Sequence, residues 1–325
     1  MSTSDSDPLS AHFSVMLGEA VTGLKIKEDG FYVDGTFGRG GHTAEIIKQL
    51  SPQGKLLLMD RDQDAITEAQ RLYAADPRVV ITHNPFSKLP EVLTEMGLTR
   101  KLDGYLLDLG VSSPQLDHAD RGFSFMRQGP LDMRMDQSQP LTAAEWLRCA
   151  EQDEIARVLW EYGDERQSRK IARAIIHSRD EIPLVTTSQL AELVQRVIPG
   201  YHKKHPATRT FQAIRIHINQ ELQELKQALE QSLSLLSAGG RVVVISFHSL
   251  EDRMVKQFFR RNSGGQQELP PEIPIRGQPQ QGVLQTVGKR QRATAEEIDL
   301  NPRSRSAVLR VAERTTSNID KRFQP

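Results

Sequence analysis

The chain has 325 residues, 42 basic and 42 acidic side chains, and a hydrophobic content of 38%, the composition of a soluble globular protein long enough for two domains. A formal net charge of zero offers no overall field to a polyanion, so a nucleic-acid partner would have to be held by local patches. The single cysteine, Cys149, excludes an internal disulfide and any cysteine-based zinc or iron–sulfur centre, and suits a reducing cytoplasm.

Residues 1–11 are polar and acidic, without the basic and apolar regions of a secretory signal, and are expected to be a disordered N-terminus. No apolar run approaches the length of a membrane span. A short apolar strand, Phe31 to Val33, then leads into Asp34 and the glycines Gly35, Gly38, Gly40 and Gly41, ahead of an amphipathic helix from Thr43 to Leu50. Strand, glycine loop and helix is how doubly wound α/β proteins hold a nucleotide at the strand's carboxyl end. Lys55 to Met59 is a continuous apolar run closed by Asp60, as in a strand buried on both faces. A helix from Asp62 to Tyr73, a strand from Val79 to His83, a helix from Ser87 to Met96 and a strand from Tyr105 to Asp108 follow. This alternation predicts a mostly parallel, doubly wound sheet with helices on both faces.

After Asp108 the rhythm breaks, and the next comparable strand is Arg241 to Phe247. Between them, Thr142 to Glu145 has the form of a helix cap, and Glu151–Trp160, Glu165–Ser178 and Thr187–Val197 carry apolar residues at helical spacing. An inserted all-helical domain over 116–208 is expected, with 12–115 and 209–325 forming a discontinuous core. Phe211, Ile214, Ile218, Leu222, Leu225, Leu229, Leu233 and Leu236 predict one long helix, stopped by Gly239-Gly240. Leu250 to Arg261 is a further helix, 262–282 is a flexible loop rich in Gly, Pro and Gln, and Gly282–Val287 with Ser306–Ala312 forms a closing antiparallel pair.

The glycine loop is not a dinucleotide fingerprint: counted from Gly38, the third position is Gly40 but the sixth is Thr43. Asp34 would repel a pyrophosphate but suits an ammonium or a sulfonium, and S-adenosylmethionine (SAM) carries both and no phosphate. Asp60, twenty positions after Gly40, is placed to accept the ribose hydroxyls of an adenosine, and Phe86 to lie against its adenine. Each has a plainer alternative: a glycine turn without ligand, a helix-capping aspartate, a core phenylalanine. Asp108, Ser112, Ser113 and the backbone before Pro114 end the fourth strand. Acceptors there can hold the hydrogens of an exocyclic amine and turn its lone pair toward a methyl donor; a polar turn is the alternative. Phe123 and Phe125 suit the stacking of a flipped base, or the core of the insertion. His248, near the end of the fifth strand, is a candidate for the same crevice, although lone histidines are more often structural. Gly200 to Asn219 carries Lys203, Lys204, Arg209, Arg215 and three histidines without an acid, and with Lys289–Arg292 and Arg303–Arg305 it suits a phosphate backbone. His202 and His205 have no further ligands beside them, so no metal is expected.

Taken together, His12-Phe-Ser-Val-Met-Leu-Gly-Glu19, Asp34–His42, Asp108–Gln115, Arg121–Asp136, His205–Phe211, Ser246–Arg253 and Asn301–Ser306 closely resemble the bacterial 16S ribosomal RNA cytosine-N4 methyltransferase (MraW) family. Within them Gly129-Pro-Leu-Asp-Met-Arg-Met-Asp136 is far from a generic pattern. The resemblance implies a class I SAM-dependent methyltransferase fold, a Rossmann-like sheet carrying an inserted helical domain. It implies SAM as methyl donor and, as acceptor, a cytidine in the decoding region of 16S rRNA of the small ribosomal subunit. It also implies cofactor contacts at Gly40, Gly41, His42, Asp60, Phe86, Asp108 and Gln115; His42 and Gln115 enter only this way. The wider amino-methyltransferase motif ends Pro-Pro-aromatic, whereas this chain has Ser113-Pro114-Gln115, so the aromatic that stacks the base is expected from Phe123 or Phe125. Two alternatives are a dinucleotide-dependent oxidoreductase, against which Thr43 and Asp34 stand, and a non-catalytic ribosome-binding factor, against which the full set of strand-end acids stands.

Overall fold

Mostly apolar runs, interrupted only by Asp103 and Arg241 ahead of the apolar stretches of the last two, become the parallel part of one sheet: β1 (Phe31–Asp34), β2 (Lys55–Asp60), β3 (Val79–His83), β4 (Leu102–Asp108) and β5 (Leu236–Ser246). This computed structural model describes residues 14–201, 205–264 and 282–318. The expectations for residues 1–11, for most of the 262–282 loop and for Lys203 and Lys204 lie outside the described residues. Three further strands, β6 (Leu284–Thr286), β7 (Gln291–Arg292) and β8 (Val308–Arg314), complete the sheet. Its order is β3-β2-β1-β4-β5-β8-β6, with β7 also paired to β8. Strands β1 to β5 run parallel, and β8 runs antiparallel to β5 and to β6. This is the class I methyltransferase sheet that the resemblance implied, and the expected closing pair is present, with Leu284 opposite Arg314 and Thr286 opposite Ala312.

Side chains alternate between two cores, one on each face of the sheet. Phe31, Val33, Leu57, Met59, Val242 and Val244 face α4 (Leu89–Glu95), α11 (Glu221–Leu235) and α12 (Ser249–Asn262). Tyr32, Leu56, Leu58, Val243 and Ile245 face α1 (Leu17–Leu24), α2 (Gly41–Gln49) and α3 (Gln63–Tyr73). Two tyrosines are fully buried because each hydroxyl has a partner: Tyr32 accepts from the Lys27 N–H at 2.6 Å, and Tyr105 donates to the Phe86 carbonyl at 3.1 Å. A short helix, α13 (Ala295–Leu300), precedes β8.

The helical stretch contains α5 (Ser113–Asp117), α6 (Ala143–Cys149), α7 (Gln152–Gly163), α8 (Ser168–Glu181), α9 (Thr187–Val197) and α10 (Ala207–Ile218). Its core gathers Trp146, Leu147, Ile155, Val158, Leu159, Ile171, Ile175, Leu190, Val194, Phe211 and Ile214, the residues whose spacing marked the helices. The chain divides into two compact units. One holds the described residues of 1–60, 64–109 and 225–325; the other holds Arg61–Gln63 and the described residues of 110–224. No helix among the described residues is long and apolar enough to cross a membrane.

One expectation is overturned. The long helix from Phe211 to Leu236 is two helices, α10 and α11, broken at Gln220, whose φ of 51° is left-handed. The apolar spacing runs straight through the break, so periodicity could not show it. Asn219, fully buried, sits at the break as the C-cap of α10 and ties the helix end to the 133–135 segment. It accepts from the Met135 N–H at 2.8 Å and donates to the Met133 carbonyl at 2.7 Å and to the Arg215 carbonyl at 2.9 Å. Strand β5 also starts at Leu236 rather than Arg241, so Gly239-Gly240 lies within the strand.

Candidate active site

Asp34, at the end of β1, is the anchor of the glycine loop. Its Oδ1 accepts from the Thr36 N–H at 3.2 Å, and its Oδ2 accepts from the Thr43 hydroxyl at 2.7 Å. Thr43, which stands where a third fingerprint glycine would be, thereby ties the first turn of α2 back to β1. The Thr36 hydroxyl oxygen accepts from the Asp108 N–H at 2.7 Å, joining the loop to the end of β4. Gly40 has a φ of 79°, a left-handed conformation that costs a side chain about 1–2 kcal/mol. At Gly41 a Cβ would collide with the Ser14 hydroxyl, so a larger residue there would have to displace that side chain.

Asp60 ends β2, in register with His83 at the end of β3. Its Oδ2 accepts from the Gly38 N–H at 2.9 Å, so the acid expected to meet a ribose also holds the loop's outer turn. Phe86 is half-buried against the core, close enough to the loop that a Cβ on Gly35 would lie 3.1 Å from the Phe86 Cβ.

His42 has a defined orientation. Its Nε2 donates to the Val15 carbonyl at 3.1 Å, since a carbonyl can only accept, which leaves Nδ1 without a proton in the neutral ring. That Nδ1 lies 3.9 Å from Asp108 Oδ2. Burial pushes the imidazole down to about 4, against the Val15 bond that favours its protonation. Burial likewise pushes Asp34 up to about 6, against its bonds from Thr43 and Thr36. Asp108 is held well above the usual carboxylate range, first by burial and then by the negative charges of Asp34, Glu251 and Glu297. Its Oδ1 is sealed from solvent and has no hydrogen-bond partner. A buried carboxylate oxygen left over among other acids calls for a cation or a proton donor, which fits the sulfonium and ammonium of SAM and not a pyrophosphate.

Sequence reading missed several of these parts. Thr36 and Val15 act through a hydroxyl and a carbonyl that no motif singles out. Glu297 reaches the site because its Oε1 accepts from the Met16 N–H at 2.7 Å, beside Val15, although 281 positions separate the two. Glu251 follows from α12: it is the third helical residue, and its Oε2 accepts from the N–H groups of Phe247 and His248 at 2.8 and 3.2 Å. His248 is the N-cap of that helix through Nδ1, and its Nε2 lies 3.1 Å from Glu251 Oε1.

The other expected residues lie in the helical unit. Ser112 caps α5, with its hydroxyl accepting from the Gln115 N–H and its own N–H donating to Gln115 Oε1 at 2.9 Å. Ser113 and Pro114 form the first turn of that helix. Gln115 is buried, and its Nε2 donates to Asp62 Oδ2 at 2.6 Å. The same oxygen takes the buried Arg121 guanidinium at 2.9 Å, whose Nη2 donates to the Met135 carbonyl at 2.9 Å. Asp62 and Arg121 are thus the fixed points of this turn, and neither was singled out from sequence. Phe123 is buried in the helical core, with the Arg121 guanidinium 5.9 Å from its ring centre. Phe125 is only half-buried, with its ring 4.6 Å from that of His205 and 4.9 Å from that of Phe211. Arg209 is exposed and donates to the Asp164 carbonyl at 3.1 Å.

Comparison with known proteins identifies the family. A ribosomal RNA small subunit methyltransferase H from Thioalkalivibrio sulfidiphilus is 53% identical over 309 residues, covering 94% of this chain and 98% of its own. The protein of the same name from Shewanella loihica is 53% identical over 307 residues, covering 94% and 97%. The MraW methylase family profile matches residues 9–315, which takes in the glycine loop, all the strand-end acids and the whole helical unit. With that span and that identity, the chain belongs to the MraW methylase family.

Proposed function

We propose that this protein transfers a methyl group from SAM to the exocyclic N4 of a cytidine in the decoding region of 16S rRNA, acting in the cytoplasm on the small ribosomal subunit. The observation that carries the reading is Asp108: a sealed, unpartnered carboxylate oxygen at the end of β4, surrounded by Asp34, Glu251 and Glu297. The relatives' names, methyltransferases of small-subunit ribosomal RNA, support it.

SAM, when bound, supplies an electrophilic methyl group on a sulfonium. Gly40 and Gly41 leave the loop free of side chains, Asp60 receives the ribose hydroxyls, and Phe86 offers a face to the adenine. Asp34, held by Thr36 and Thr43, contributes negative charge at the end of β1. His42 keeps Nδ1 toward Asp108, and Gln115 braces Ser112 and Asp62. Asp108 accepts a hydrogen of the N4 amine and, with its raised proton affinity, can hold the proton that N4 sheds on becoming methylated. Ser112, Ser113 and the carbonyl before Pro114 are further acceptors for that amine. Within the helical unit, Phe125 is the stacking aromatic in preference to the buried Phe123.

Incubation with labelled SAM and unmodified small subunits, followed by nucleoside analysis, tests this. N4-methylcytidine is the expected product. Label in another base would refute the substrate, and subunit binding without any label would favour a binding factor.

A further inference from the structure

Trp160 leaves 58% of its surface in water, an unusual position for an indole. Its neighbours Ile155, Val158 and Leu159 turn α7 toward the helical core, which leaves Trp160 outward in the last turn. Asp164 ends the helix in a left-handed conformation with φ 49°. The buried Glu165 then fixes the link to α8, its Oε1 accepting from the Gln167 N–H at 2.8 Å. The result is an open pocket of about 730 Å³ whose lining includes Trp160, Arg157, Arg166, Arg169, Lys170 and one acid, Asp153. This volume is in the range of small-ligand sites. Arg157 is paired with Glu161 at 3.2 Å, but no ion pair joins Arg166, Arg169 or Lys170 to a carboxylate among the described residues. The first turn of α8 carries no acid.

Three exposed, uncompensated cations beside an exposed flat ring match a ligand that is anionic along one edge and aromatic along another. An acidic protein surface would satisfy the cations and leave the indole without a reason to be bare. We propose that this pocket grips a single-stranded segment of the substrate RNA, with a base stacked on Trp160 and phosphates on Arg166, Arg169 and Lys170. The inference rests on the RNA methyltransferase reading and adds to it a contact surface that does not include Arg209 or Phe125.

The test uses the full-length protein and a labelled single-stranded RNA about ten nucleotides long. Of the two tryptophans, Trp146 is 4% exposed, so RNA should quench the fluorescence of Trp160. Trp160→Ala should weaken binding roughly fivefold to a hundredfold, and Trp160→Phe should restore most of it. Arg166→Ala with Arg169→Ala should lower the slope of log affinity against log salt by about 1.4, at 0.7 per lost phosphate contact on a single strand. The same variants should raise the KM for small subunits in methyl transfer, while Lys226→Ala, an exposed cation on α11, should change neither measurement. Unchanged RNA affinity and KM in the pocket variants would overturn the proposal. So would a raised KM in a protein whose wild type does not bind the RNA, a result pointing to an acidic protein face instead. Quenching and loss in Trp160→Ala without any methyl transfer by the wild type would leave the pocket standing and remove the methyltransferase reading.

Discussion

His42 Nδ1 lies 3.9 Å from Asp108 Oδ2, and the ring cannot turn away because its Nε2 donates to Val15. Burial acts on both groups against charge, lowering the proton affinity of the imidazole to about 4 and raising that of the Asp108 carboxyl. Ionised Asp108 therefore carries a desolvation cost that a bound cation would offset.

Asp34 makes that cost measurable. Its pKa is raised from 3.8 to about 6, so the folded state binds more protons than the unfolded state between those values. Its stabilising share is complete below 3.8 and is lost as pH rises through about 6. The loss is on the order of 3 kcal/mol at 1.36 kcal/mol per unit. His42 has the opposite sign, with its share present above 6.5 and lost as pH falls through about 4. Comparing Asp34→Asn with wild type cancels the His42 contribution. The variant should gain in relative stability as pH rises from 4 to 7, read from urea midpoints without SAM, while SAM binding is lost. A difference independent of pH would mean that Asp34 is ionised throughout.

Asp60→Ala should weaken SAM and S-adenosylhomocysteine alike, because the ribose is common to both. Removal of charge-assisted hydrogen bonds worth about 1.5–3 kcal/mol corresponds to roughly tenfold to hundredfold in affinity by calorimetric titration. Weakening of SAM alone would place Asp60 at the sulfonium end.

Arg121→Ala would remove the guanidinium from the buried Asp62 carboxylate, one oxygen of which is shared between Arg121 and Gln115. Breaking such a pair costs about 3–5 kcal/mol. The loss should appear in hydrogen exchange as reduced protection of α5 and the 131–136 segment. Protection unchanged from wild type would show that Gln115 alone suffices.

Asn219→Ala would leave the Met135 N–H and the Met133 carbonyl without partners, at about 1–3 kcal/mol each. Asn219→Asp should do no better, since a carboxylate can accept from Met135 but cannot donate to Met133. A thermal midpoint equal to wild type in either variant would contradict the assigned role.

The sequence by itself determined the class of fold and the acids at its strand ends. Continuous apolar runs must be buried on both faces, and a residue just past such a run must emerge at the sheet's carboxyl edge, so Asp34, Asp60 and Asp108 were legible without coordinates. The helical insertion was legible for a similar reason, because its apolar stripes repeat at helical spacing. Tertiary structure decided what periodicity does not encode. The break at Gln220 adjoins Asn219, whose partners lie more than eighty residues away, at Met133 and Met135. The orientation of His42 depends on a backbone carbonyl, Val15, and the charge around Asp108 depends on Glu251 and Glu297, far along the chain. Phe123 and Phe125 share a motif, yet one is buried in the core and the other is half-exposed. Local sequence sets which residues can be buried; desolvation and long-range hydrogen bonds set which of them are left with charge to offer.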